Sequence, residues 1–136
     1  VWLKELTAQG LAPGEMGVFV RSKGQLSRAR GAVVAAGLEP VVLDGSGGEP
    51  DGRVAVGIME LAKGLEFRAV AVAACDDGVI PSQDRIDEIG DYADLDDVWE
   101  TERQLLYVAC TRARDHLLVI GVTPGSEFLE DISGER

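Results

Sequence analysis

Histidine and cysteine are almost missing from this chain: one His and two Cys occur in 136 residues. A structural zinc site wants four nitrogen or sulfur ligands at short spacing, and Cys75, Cys110 and His116 cannot supply them. Each cysteine lies in an apolar run, so both read as buried reduced thiols rather than as a bridge. With a single His and no serine in a strand-to-helix elbow, a hydrolytic Ser-His triad is excluded as well. Basic residues are also short: 13 Lys and Arg stand against 24 Asp and Glu, for a formal net charge of −11. Non-specific attraction to nucleic acid comes mainly from Lys and Arg neutralising phosphates, so this chain taken alone is expected to hold DNA weakly. Neither a signal-like segment nor an apolar run of membrane-spanning length occurs. A cytoplasmic protein without membrane contact is therefore expected, and the start at Val1 suggests a piece of a longer one.

Two nucleotide-binding signatures are missing too. Gly47-x4-Gly52-Arg53-Val54 has the glycine spacing of a phosphate loop, but Arg and Val stand where Lys and Ser/Thr are needed, and a strand follows instead of a helix. No Gly-x-Gly-x-x-Gly follows any strand, which removes a dinucleotide-binding enzyme. The metal entry is accordingly none.

What is present reads as one folded domain over residues 1–136, since 46% of residues are hydrophobic and only 27% charged. Residues 2–9 read as a short helix, 16–21 as a strand, and 25–36 as a helix ended by Gly37. Strands follow at 40–43 and 53–58, separated by the glycine-rich loop 44–52. Residues 69–74 are apolar throughout, as in a parallel strand buried on both faces. The acidic run from Asp84 to Asp97 reads as a surface loop. Asp94 or Asp96 would cap a long helix reaching about Arg112, residues 116–121 would form a last strand, and 126–132 a helical turn. Strands alternating with helices predict an α/β fold with a mostly parallel sheet and helices on both faces.

The chemistry concentrates in Lys63-Gly64-Leu65-Glu66-Phe67 and in Glu102-x4-Tyr107-Val108-Ala109-x-Thr111-Arg112-Ala113. Cations and a carboxylate at strand and helix ends of such a fold suit phosphates, metal and ribose. The first segment resembles motif V of the UvrD/Rep-like superfamily 1 DNA helicases, and the second resembles their motif VI. Val18-Phe19-Val20-Arg21-Ser22 looks like motif IV, and Asp76-Asp77-Gly78-x-Ile80-Pro81-Ser82 resembles a further family segment. All four stand in the family's order and cover residues 16–132.

That resemblance implies a RecA-like domain without its own phosphate loop, the C-terminal motor domain of an ATP-dependent DNA helicase. The large helical insertion of many relatives between motifs IV and V would be replaced by the loop 44–52. ATP and Mg2+ would be held mainly by an N-terminal RecA-like domain of the same protein, with this domain closing the cleft and coupling hydrolysis to movement on single-stranded DNA. Arg112 and Arg21 would face the γ-phosphate, where a well-placed arginine is worth roughly 10³–10⁵ in rate. Glu66 would accept from ribose or orient a metal-bound water, with Lys63 and Gly64 shaping the turn. The alone-standing domain would be inactive.

Each residue also has a plainer reading. Arg112 could satisfy the carbonyls at its helix end, Glu66 could pair with Lys63 or Arg68, and Arg21, Lys23, Arg28 and Arg30 could form a solvated face. Tyr107, Val108 and Ala109 read as core. Glu102 is a candidate for holding the neighbourhood of Arg112. Relatives usually carry Thr-x-His before the motif V lysine, facing single-stranded DNA; Ile58 and Glu60 stand at those positions here. An acidic Glu60 would repel phosphates. With the negative charge, it supports an alternative: a helicase-derived protein-interaction or regulatory module that no longer unwinds DNA.

Overall fold

The apolar stretch of the sequence becomes the middle of a parallel sheet. In the computed structural model, which describes residues 2–43, 52–73, 86 and 92–119, the strands are β1 (Met16–Val20), β2 (Pro40–Val42), β3 (Val54–Ile58), β4 (Phe67–Val72) and β5 (Ala113–Val119). They stand in the order β2-β3-β1-β4-β5, and every neighbouring pair is parallel. Parallel neighbours need crossovers. Helix α2 (Leu26–Ala35) lies between β1 and β2, a 3-10 turn (Met59–Leu61) between β3 and β4, and α3 (Tyr92–Thr111) before β5; α1 (Trp2–Ala8) precedes the sheet.

Alternation along the strands sorts side chains between two cores. Val18, Val20, Val54, Val56, Ala69 and Ala71 pack with Leu3 and Leu6 of α1 and Ala29 and Val33 of α2. On the opposite face Phe19, Ala55, Val70 and Val72 pack with Met59, Leu106 and Ala109. All five residues of β1 are buried, as a central strand covered on both sides requires. The expected α/β architecture with helices on both faces is thus present. Among the described residues no helix is long and apolar enough to cross a membrane.

Some boundaries differ from the sequence expectation. Helix α3 already runs from Tyr92, so Asp94 and Asp96 lie inside it rather than capping it, and residues 92–97 are helix rather than loop. Acidic side chains favour the first turns of a helix, where the dipole is positive. Strand β5 starts at Ala113, directly after α3: the Phe67 N–H donates to the Arg112 carbonyl at 2.9 Å, opening the β4–β5 ladder with no linker. Gly37 ends α2 with a positive φ of 79°. The Cys110 thiol is half-buried and free, and burial pushes it up to about 11, so it stays protonated at neutral pH. The loop 44–51, Cys75, Asp76 to Ser82, most of the run 84–91 and residues 126–132 lie outside the described residues.

Candidate functional site at two edges of the sheet

Arg21 follows β1 at the C-terminal edge of the sheet and is only 7% exposed. A guanidinium in that position must be paired. Its Nε donates to Glu102 Oε1 at 2.9 Å and Oε2 at 3.0 Å, and its Nη2 to Oε2 at 2.6 Å. Glu102, on α3, has no exposed surface. The third nitrogen, Nη1, donates to Glu60 in the 3-10 turn after β3. Burial works against the Arg21 charge, but the hydrogen bonds and charges of Glu102 and then Glu60 outweigh it and raise the guanidinium's pKa further above its already high value. One arginine thereby ties together the end of β1, the β3–β4 crossover and α3.

A second cluster lies at the opposite edge. Arg112, the residue after α3, donates from Nε to the Val108 carbonyl at 3.1 Å and from Nη2 to Thr111 Oγ1 at 3.1 Å. Its Nη1 reaches the Leu65 carbonyl at 3.4 Å. That contact joins the end of α3 to the turn just before β4, where Gly64 takes a positive φ of 82° and Lys63 and Glu66 are exposed. Arg112 therefore does satisfy a helix-end carbonyl, and it also holds the turn that carries Lys63 and Glu66. The rival partner for Glu66 is otherwise engaged: Arg68 pairs with Asp115 at 3.0 Å and with Glu15 at 3.4 Å. The Arg68 hydrogen bond holds the Asp115 carboxyl below its ordinary range. Glu15 is lowered first by the Ala12 backbone N–H, with Arg68 adding to it.

The structure brings Arg112, Lys63, Gly64 and Glu66 to one edge. Arg21 is not among them. Glu102, its partner, precedes Arg112 by ten residues on α3, which is about 15 Å along the helix axis. Ile58, which pairs in register with Val20, and Glu60 belong to the Arg21 edge. Ile58 is half-buried against the core on the α1–α2 side.

Three further readings change. Glu102 holds Arg21, not the surroundings of Arg112. The signal was available: Glu102, Leu106 and Ala109 recur at i, i+4 and i+7, one helix face, and a carboxylate on a buried face demands a cation. Tyr107, expected in the core, is 68% exposed, because it lies off that face; Ala109 is fully buried and Val108 half-buried. The basic cluster is broken by burial, since Arg21 turns inward while Lys23, Arg28 and Arg30 are exposed.

With this geometry in view, a match to known proteins becomes decisive. The family model described as the UvrD-like helicase C-terminal domain matches residues 44–123, more than half of the chain. The chain belongs to that family. It is 37% identical over 79 residues to DNA helicase II of Rickettsia typhi (strain ATCC VR-144 / Wilmington), an alignment covering 58% of this chain and 11% of that protein. The same figures hold for a probable DNA helicase II homolog of Rickettsia felis (strain ATCC VR-1525 / URRWXCal2). The chain thus spans about a tenth of the length of these relatives. In fold it resembles the C-terminal domain of a possible DNA helicase from Lactobacillus plantarum WCFS1, with a TM-score of 0.62 and 24% identity over 93% of this chain and 66% of that one. The sheet of this UvrD-like domain is accordingly of the RecA-like type.

For a nucleotide triphosphate and its magnesium, the residues present fit half a site. Exposed Lys63 and Glu66 with the Arg112 fork offer charge to one side of a ligand. The sequence has no loop to cradle the phosphates from the other side.

Proposed function

We propose that this domain is the second motor domain of an ATP-dependent DNA helicase. Its N-terminal sheet edge would complete an ATP site held mainly by a preceding RecA-like domain, and its C-terminal edge would meet single-stranded DNA. The observation that carries the reading is the contact between Arg112 and the Leu65 carbonyl. It gathers the two motif segments that carry phosphate-seeking and ribose-seeking groups onto one edge. Arg112 supplies a planar, permanently charged fork to the γ-phosphate, Glu66 accepts from ribose or a metal-bound water, and Lys63 adds a second cation. ATP with magnesium supplies the phosphoryl group and most of the charge neutralisation, while the residues of this chain position and stabilise.

A second reading, a helicase-derived module that no longer unwinds, draws on one observation: Glu60 already satisfies an arginine nitrogen at the edge where DNA would bind. One comparison separates the two. The full-length protein should hydrolyse ATP with stimulation by single-stranded DNA, and the 136-residue chain should show no turnover. A full-length protein without ATPase activity would favour the module.

A further inference from the structure

We infer that Arg21 is a seat for one phosphate of a single-stranded nucleic acid, and that Glu60 fills this seat with its own carboxylate. The inference rests on the reading above that the parent protein works on DNA. Arg21 has an inward and an outward side. Nε and Nη2 are held by Glu102, which is wholly buried. Nη1 donates to Glu60, whose side chain is 45% exposed. Arg21 and Glu102 already cancel in charge, so the pair has no need of a second carboxylate, and Glu60 leaves the cluster net negative.

The outward nitrogen is therefore where an oxyanion from solvent would reach Arg21, and Glu60 is the oxyanion that the fold itself provides. A phosphodiester oxygen has the same chemistry, since a guanidinium N–H bonds either charged oxygen. Lys23 is exposed two residues further along the chain and offers a second cation to an extended strand. A nucleotide seated by Arg112, Lys63 and Glu66 lies at the other edge of the sheet, which points to a strand rather than a nucleotide here. Because Glu60 must swing out before a phosphate can enter, observed affinity falls by the fraction of molecules in which the seat is open. Glu60 thereby sets how tightly this domain holds DNA.

The test is made in the full-length protein, with fluorescence anisotropy of a labelled oligo-dT probe across a salt series. Glu60→Gln and Glu60→Ala should tighten binding by roughly tenfold, the gain of one charge-assisted hydrogen bond. Their slopes of log K against log salt should steepen by about 0.7, the value for one added phosphate contact on a single strand. Glu39→Gln, which removes an exposed carboxylate elsewhere, should change neither. An equal gain from Glu39→Gln would mean that net charge alone is responsible, which overturns the seat. So would a gain seen for a non-hydrolysable ATP analogue but not for the strand. Unchanged strand affinity in the Glu60 variants, with ATP turnover intact, overturns the seat while leaving the helicase reading. Absence of both strand binding and turnover in every version overturns both.

Discussion

At Arg21 a single guanidinium connects three segments far apart in sequence, and the energetics follow from how little water reaches it. Both members of the inner pair are buried, and removing one partner of such a pair strands the other charge. Glu102→Ala should therefore destabilise the protein by about 3–5 kcal/mol, read as a fall in urea midpoint at constant m-value. A change below about 1 kcal/mol would mean that Glu60 alone can carry Arg21. The sequence made Arg21 noticeable but not its role, because its environment is built from residues 39 and 81 positions away. Glu102 was legible in principle from its helical spacing with Leu106 and Ala109. Glu60 was not, since nothing local reveals which cation a crossover carboxylate will meet. Arg112, Lys63, Gly64 and Glu66 were legible as a group because two short segments each carry them in order. That Arg112 would touch the Leu65 carbonyl needed the fold.

Among the elements, the strands were the most legible and their ends the least. Apolar runs mark β1, β3 and β4, yet β4 begins at Phe67 and β5 at Ala113, ahead of the purely apolar residues. The ladder opens there through backbone bonds that side-chain polarity does not report. Packing between elements can be probed at two glycines. In β1, a Cβ at Gly17 would lie 3.0 and 3.1 Å from the Phe67 ring and 3.3 Å from the Phe19 ring. Those rings already pack against each other, tilted by 59° with centroids 5.9 Å apart. Gly17→Ala should therefore cost about 1–3 kcal/mol through overpacking. Gly31 lies within α2 with nothing near its missing Cβ, so Gly31→Ala should stabilise by about 0.5–1 kcal/mol. Denaturant midpoints of the two variants should thus move in opposite directions. Movement in the same direction would contradict this account of the β1–β4 packing.

On the scale of the whole molecule, α3 runs from one sheet edge to the other, with Glu102 at the Arg21 cluster and Arg112 at the turn before β4. The domain thus presents two chemically different edges joined by one rigid helix, a layout suited to linking a nucleotide site with a strand site. The net charge of −11 places the burden of attraction to DNA on local groups or on the rest of the protein. The central claim is that Arg112 serves the nucleotide, and it is tested most directly by kcat for ATP and Tm measured side by side in the full-length protein. Arg112→Ala gives up hydrogen bonds to Val108, Thr111 and Leu65, which should cost about 1 kcal/mol of stability. Arg112→Lys keeps the charge near the helix end and should cost less. Both should lower kcat by about 10²–10³-fold, as loss of a transition-state contact does. A kcat within about threefold of wild type in Arg112→Ala, or a loss of activity that merely tracks unfolding, would show that Arg112 only caps its helix and would contradict the account.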